Sequence, residues 1–340
     1  MNTLSLPLGK IPLQIFREVV LKHLGAKLPE VMMGPAVGED AAIIKLGKEY
    51  LVISSDPVTG AVEKVGWLAL QVCANDIAVR GVKPRWFVST ILMPENSDRF
   101  ALENICSQID KAAKGLRIAI VGGHSEATPT LVHPIVVGCM FGITDGGSYV
   151  TSGGAKPGDE IIITKGVGIE GTAILASDRR MVVTKKYGSD FAKRAELFFE
   201  KISIVDEAMT AVESGGVTAM HDPTEGGLAG GLHEVADAAE TGFRVHEDSL
   251  LILPETIKIC HLFGIDPLQL ISSGCLLITA QRRKAERILE GIRKKGIPAA
   301  IVGEIVKKSE GRKIVSRNSS ARDLTRPISD HLWVALSRQF

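Results

Sequence analysis

Four aspartates stand at positions where carboxylates could do chemistry together. Asp40 lies in VGEDAAII just ahead of an apolar run, Asp56 ends VISSD before Pro57, and Asp222 closes VTAMHD before PTEGG. Asp76 lies in VGWLALQVCANDIAVRG, residues 65–81, on the stripe of Val65, Ala69, Val72 and Val79. The three- and four-residue spacing of that stripe predicts the core-facing side of an amphipathic helix. A carboxylate is costly to bury unless it is paired, hydrogen-bonded or metal-bound, so Asp76 needs a partner. Asp40 and Asp56, on neighbouring strands, are candidate neighbours for it. Converging carboxylates without an equal set of cations repel one another. A hard divalent cation such as Mg²⁺ or Mn²⁺ removes that repulsion through oxygen ligands. The plainer alternative, that each aspartate caps a helix or shapes a turn, fits Asp40 and Asp56 better than Asp76.

Two glycine-bearing stretches could receive an anion. IVGGHSEATP (120–129) places Gly122 and Gly123 after a strand-like run and continues His124-Ser125-Glu126. MHDPTEGGLAGG (220–231) sets Thr224, Gly226 and Gly227 between a strand and a helix. Glycine lets backbone N–H groups approach phosphate closely, and a helix N-terminus favours its charge. Neither stretch is a Walker sequence, and a tight structural turn is the alternative for each. His124 could ligate a metal, orient a phosphate or simply be hydrogen-bonded; His221 reads as structural. Gly166, Gly168 and Gly171 in ITKGVGIEG satisfy G-x-G-x-x-G after a strand. A nicotinamide site also needs a second parallel strand with an acidic end about 20 residues on. A charged, helix-like segment follows instead, so no such site is expected.

The elements that must position these residues alternate. AAIIKL (41–46) and YLVISSDPV (50–58) read as adjacent strands, the helix of residues 65–81 is stopped by Gly81 and Pro84, and WFVSTILM (86–93) is a strand. Ser97 is placed to cap a long helix running to Gly115, and RIAIVGG (117–123) and HPIVVGCMFGIT (133–144) are further strands. GGSYVTSGGAKPGDE (146–160) is the best boundary. Beyond it come the strand DEIIIT, a charged helical stretch over 178–200, the strand VTAMHD, the helix GLAGGLHEVADAAE and a closing strand–helix–strand series. The pattern predicts two α/β domains, 1–152 and 153–340. The polar, turn-rich tail from about residue 306 carries little pattern.

With 340 residues, 45% of them hydrophobic, the chain can build a sizeable core. A net charge of +1 with no basic, aromatic-interleaved patch gives no footprint for nucleic acid. No apolar run reaches the ~20 residues of a membrane span and the N-terminus lacks a signal-peptide core, so a soluble cytoplasmic protein is expected. Five cysteines without a C-x-x-C pair, each within or beside an apolar run, predict reduced thiols rather than a zinc or disulfide framework.

In order along the chain, GEDAA (38–42), SSDPV (54–58), CANDIAVRGVKP (73–84), VGGHSE (121–126), KPGDEIIITKGVGIEGTAILA (156–176), HDPTEGGLAGGLHEVA (221–236) and ISSGCLLITA (271–280) resemble the signature blocks of the aminoimidazole ribonucleotide synthetase superfamily. The superfamily includes selenophosphate synthetase, thiamine-monophosphate kinase and the hydrogenase-maturation thiocarboxamide dehydratase, and the HypE-like dehydratase is the nearest in pattern. The resemblance implies an N-terminal α/β domain that forms a homodimer through a shared β-barrel, and a C-terminal α/β domain. It also implies ATP with Mg²⁺ in the cleft between them, completed by the dimer partner, and activation of an oxygen atom as a phosphate ester or release of phosphate. Asp40, Asp56 and Asp76 match acidic metal- or phosphate-site positions, Gly122 and Gly123 the GG loop, and Asp222, Thr224, Gly226 and Gly227 the DPT-x-GG block.

Two departures stand out. The GG loop usually continues with Asp or Glu and then Thr. Here His124-Ser125-Glu126 follows, and imidazole tilts the metal preference toward Mn²⁺ or another transition ion. The dehydratase carries its substrate on a C-terminal cysteine, whereas this sequence ends HLWVALSRQF, with Phe340 last and no cysteine after Cys275; it is not expected to perform that reaction. The expected activity is a metal-dependent phosphoryl transfer or phosphohydrolysis on ATP or a related phosphorylated small molecule. Asp40, Asp56 and Asp76 would hold metal with His124 and Glu126, the glycine stretches and Ser125 would line the phosphates, and Glu39 or Asp222 would complete the metal shell or orient the nucleophile. A small-molecule kinase or ATP-dependent synthetase, and a non-catalytic nucleotide-binding assembly or maturation factor, are the alternatives.

Overall fold

The computed structural model describes residue 6 and residues 8–144 and 147–338; Asp145, Gly146, Gln339 and the final Phe340 lie outside the described residues. The first half runs α1 (Leu13–Glu18), β1 (Val31–Met33), β2 (Ala42–Leu46), β3 (Glu49–Val58), α2 (Val65–Ala78), β4 (Pro84–Pro94), α3 (Arg99–Leu116), β5 (Ala119–Thr128) and β6 (Ile135–Ile143). Its six strands form one sheet in the order β1-β2-β3-β6-β4-β5. The second half runs β7 (Glu160–Thr164), α4 (Ile169–Asp178), α5 (Arg180–Tyr187), α6 (Ser189–Glu196), α7 (Val205–Ser214), β8 (Val217–His221), α8 (Gly227–Ala238), β9 (Gly242–His246), α9 (Pro254–Phe263), β10 (Leu277–Ala280), α10 (Arg282–Lys294), β11 (Ala299–Val306), β12 (Arg312–Val315), β13 (Ala321–Asp323) and α11 (His331–Ser337). Its sheet is ordered β13-β12-β9-β11-β7-β10-β8. The fold is a two-domain α/β architecture, and the first sheet stays open: among the described residues β5 pairs only with β4, so one chain closes no barrel.

Burial corrects the reading of residues 65–81. α2 is not amphipathic; every residue from Val65 to Ala78 is buried except Trp67 and Val72, which are partly exposed. It lies on β3 and β6, beside α3, with α7 of the second half against it. A helix apolar all round is a core helix, and here it is the keel shared by both halves. Asn75 fastens that junction, donating from Nδ2 to the carbonyl of Ile202 at 2.9 Å and accepting at Oδ1 from Ile204 N at 2.9 Å.

Three smaller readings change. Asp98 caps α3, accepting from Ala101 N at 2.7 Å, while Ser97 Oγ bonds back to the Pro94 carbonyl. The glycines of ITKGVGIEG do connect strand to helix, but β7 pairs antiparallel with both β10 and β11, so no parallel nucleotide-binding unit exists there. Gly171 is a packing residue, since a Cβ would fall 2.4 Å from the Leu270 side chain. Finally, the tail of weak pattern forms β12, β13 and α11, and α11 closes part of the cleft described next.

Candidate active site

The four aspartates come from different elements. Asp40 precedes β2, Asp56 lies near the end of β3, Asp76 lies in the last turn of α2 and Asp222 directly follows β8. Period-two alternation places Ser54 and Asp56 on one face of β3, and Ser54 Oγ donates to Asp76 Oδ2. Asp76 and Asp222 are only 3% and 1% exposed. Burial, then the charges of Asp56 and Asp222, push the Asp76 carboxyl well above the usual carboxylate range. Burial, then Asp40, does the same to Asp222, against the opposing charge of His221. Both carboxylate oxygens of Asp222 are buried without a hydrogen-bond partner.

Beside this group runs a ladder of alternating charge. Fully buried Arg80 donates from Nη1 to Glu39 Oε2 and from Nη2 to Asp40 Oδ2 at 2.6 Å and Ser152 Oγ at 3.1 Å. His221 joins Asp40 Oδ2 through Nδ1 at 2.9 Å and Glu234 Oε2 through Nε2 at 3.0 Å, and Lys10 Nζ donates to Glu234 Oε1 at 2.6 Å. Burial alone would lower the His221 pKa, but Asp40 and Glu234 outweigh it and push it up to about 10. Burial works to raise Asp40, and His221 and Arg80 outweigh it and hold it below its ordinary value. His221 has a donor atom within 4.8 Å of atoms of Asp40 and Asp222, yet with both ring nitrogens committed as an imidazolium it is no metal ligand.

Charge balance decides what the site lacks. Arg80, His221 and Lys10 are matched by Glu39, Asp40 and Glu234. Asp56, Asp76 and Asp222 are left over, mutually repelling, with no ion pair of their own among the described residues. A divalent cation fits this donor set, which is all hard oxygen. Asp40, tied on one oxygen to Arg80 and His221, stands at the edge of it. Glu39 is already engaged within the protein: besides Arg80 it accepts from the backbone amides of Ser152 and Gly153, each at 3.2 Å.

The other sequence candidates divide. Asp40, Asp56, Asp76 and Thr224 line one cleft of about 650 Å³ between the halves. Gly122, Gly123, His124, Ser125 and Glu126 do not reach it within one chain. They belong to strand β5 itself, not to a loop after it, and are exposed along their whole length. The register Asp56–Gly138–Ser89–Gly123 sets three strand spacings, roughly 14 Å, between the aspartate and that row. His124 Nε2 meets Glu126 Oε2 at 3.1 Å on the surface, and this contact lowers the Glu126 pKa. Gly123 is required because β5 passes so close to β4 that a Cβ would meet the Ser89 carbonyl oxygen at 2.3 Å. Gly226 and Gly227 do start α8, but the Gly226 amide is taken by Asp330 Oδ2 at 2.6 Å. A Cβ on Gly227 would strike the Leu270 and Leu268 carbonyls. An anion thus occupies the helix start, and it is the protein's own carboxylate.

Residues that the sequence reading passed over complete the cleft. Lys10, Glu225, Glu170, Ser273, Asp330 and Trp333 all line it. Glu170 carried a signal of the same kind as Asp76, an acid inside the otherwise uncharged run GVGIEGTAILA; Arg80 carried another, four residues beyond Asp76 in the turn that follows α2.

Fold and site define a two-domain α/β protein with an acidic inter-domain cleft suited to a divalent cation. Residues 38–144 match the AIR synthase related protein, N-terminal domain, and residues 156–316 match the AIR synthase related protein, C-terminal domain. The chain belongs to this family. It is 29% identical over 330 residues, 95% of each chain, to MJ0676 of Methanocaldococcus jannaschii, which is named for hydrogenase expression and formation. It is 27% identical over 281 residues, 80% of each chain, to the carbamoyl dehydratase HypE of Rhodobacter capsulatus. Its fold matches that of the hydrogenase maturation protein HypE solved in complex with ATP, with a TM-score of 0.72 and 22% identity over 96% of this chain and 98% of the other.

Proposed function

We propose that the protein is a divalent-metal-dependent enzyme that uses ATP to place a phosphoryl group on an oxygen atom of a small acceptor. The carrying observation is a set of three carboxylates without a counter-charge, the buried Asp76 and Asp222 and the partly buried Asp56; Asp56 and Asp76 line the cleft, and both oxygens of Asp222 lack a hydrogen-bond partner. These three, with Asp40 beside them, would hold Mg²⁺ or Mn²⁺. A cation bound there supplies neutralisation of charge on phosphate oxygens, the usual need of phosphoryl transfer. The Arg80–Asp40–His221–Glu234 ladder keeps Asp40 ionised and fixed in place. The acceptor oxygen would bond to the γ-phosphorus as the β–γ bridging bond breaks and ADP leaves, with a carboxylate of the cluster positioned to take the acceptor's proton.

A relative named as a carbamoyl dehydratase and a relative of this fold solved with ATP support this reading. In a dehydration, an oxygen first made into a phosphate ester departs as phosphate; in a kinase the ester is the product. The exposed, singly paired β5 supports a homodimer formed along that edge. It would be through a second chain that His124, Ser125 and Glu126 meet a cleft.

The test is direct. Purified protein with ATP and Mg²⁺ or Mn²⁺ is followed by ³¹P NMR, and Mn²⁺ binding by electron paramagnetic resonance. Asp76→Asn and Asp222→Asn should each weaken Mn²⁺ binding and turnover by roughly a hundredfold or more. Unchanged Mn²⁺ affinity in both variants removes the metal site, and nucleotide binding without turnover leaves a non-catalytic binding protein.

A further inference from the structure

The cleft has a second acidic region that phosphoryl chemistry leaves unused. Glu170 lies in the first turn of α4, 4% exposed, with Oε2 lacking any hydrogen-bond partner. Ser273 beside it is fully buried, and its Oγ is unpartnered as well. Both line the cleft. The two other acids there are already engaged: Glu225 accepts the backbone amide of Lys10, and Asp330 accepts from Gly226 N and Leu332 N, each at 2.6 Å. Lys10 Nζ, the nearest cation along the cleft, is held by Glu234. The acceptor with room for a further bond is therefore Glu170 Oε2, with Ser273 beside it stabilising the carboxylate, in a field made negative by Asp330 and Glu225.

That field selects the ligand. A phosphate or carboxylate would meet three carboxyl groups, with the lysine of the lining, Lys10, already paired to Glu234, whereas a protonated amine answers them with charge-assisted hydrogen bonds. Ile174, one turn along α4 from Glu170, joins Ile271, Leu332 and Trp333 in the same wall and suits a short hydrocarbon stem.

We propose that Glu170 and Ser273 form the acceptor subsite and bind the ammonium group of a small amino alcohol, whose hydroxyl points along the cleft to Asp56 and Asp76. This assignment of the acceptor class rests on the phosphoryl-transfer reading, but its binding test does not.

Saturation-transfer NMR of the full chain, at constant ionic strength, would compare 3-amino-1-propanol, 4-amino-1-butanol and 5-amino-1-pentanol with the corresponding diols. The amino alcohols should bind and the diols should not. Glu170→Gln should weaken the best amino alcohol at least tenfold and Ser273→Ala several-fold, while Asp76→Asn should leave that binding in place as it loses Mn²⁺. Ser273→Ala removes a single buried oxygen and carries the test should Glu170→Gln fail to fold. Equal binding of diols and amino alcohols overturns the assignment. So does amino-alcohol binding that both variants retain at full strength, or displacement of the probe by Mn²⁺ with loss of Mn²⁺ binding in Glu170→Gln. Glu170-dependent probe binding in a protein that never turns over ATP keeps the ammonium subsite and sinks the phosphoryl-transfer reading; ATP turnover with Glu170-independent probe binding does the reverse.

Discussion

Replacing Glu170 by glutamine should make the protein more stable above neutral pH. Burial raises the Glu170 carboxyl from 4.5 to about 7, with Ser273 working against that rise and Asp330 and Glu225 adding to it. At about 1.4 kcal/mol per pH unit the difference amounts to roughly 3 kcal/mol. The native state holds this proton more tightly than the unfolded chain does. Its stabilising effect is therefore complete below pH 4.5, declines as pH rises toward 7 and is gone above that, where a buried charge with no cation paired to it remains. Glutamine has nearly the same shape and never ionises. Urea unfolding followed by circular dichroism, on both proteins at pH 5 and pH 8, isolates the effect, because Asp330 is common to both. Between those pH values the balance should move in favour of Glu170→Gln by about 2.5 kcal/mol. A shift near zero, or one favouring the parent at pH 8, would show that Glu170 has a cationic partner and refute the reasoning. A residue that costs stability in a cleft is kept for what it binds.

Other outcomes follow from the same geometry. Arg80→Leu removes the buried partner of Glu39 and Asp40 and should destabilise by about 3–5 kcal/mol in urea melts; Arg80→Lys should recover only part, since an ammonium cannot fork to two carboxylates. Gly227→Ala forces a side chain onto φ +61 and within 2.5 Å of the Leu270 carbonyl, so thermal melts should show a loss of about 2 kcal/mol or more. His124→Ala and Glu126→Gln break only an exposed pair, 65% and 51% accessible. They should leave the thermal melt essentially unchanged and leave Mn²⁺ affinity of the isolated monomer unchanged; a loss confined to the dimer would place the β5 face at a partner's cleft.

Asp76 was legible in the sequence because an acid among apolar helix residues has few explanations, although the stripe that drew notice to it is not one face of a half-exposed helix. The strand ends carrying Asp56 and Asp222 were legible for a related reason, as strand-like runs stopping at an acid, and Asp40 as an acid just ahead of such a run. The GG stretch misled because glycine has two uses that look alike in one dimension: freeing a loop for phosphate, and letting β5 press against β4. The partners of His221 were not legible at all. Asp40 and Glu234 reach it, and Lys10 reaches Glu234, only through tertiary folding, and the tail holding Asp330 and Trp333 has no periodicity to read. The order of the strands, and hence the distance from Asp56 to Gly123, likewise lies outside any local pattern.

The charge ladder from Arg80 to Lys10 has a mechanical consequence. Asp40 and Arg80 belong to the first half, His221 and Glu234 to the second, so prising the halves apart would break the His221–Asp40 pair that joins them. Such a clasp resists salt, because its inner members are shielded from the solution, and it forbids the jaw-like opening by which many two-domain proteins admit their ligands. Lys10 is its outermost rung, 59% accessible, and the cheapest to let go. Traffic into the cleft should therefore be governed by the lifting of the leading segment around Leu8–Lys10, over a body that otherwise stays shut.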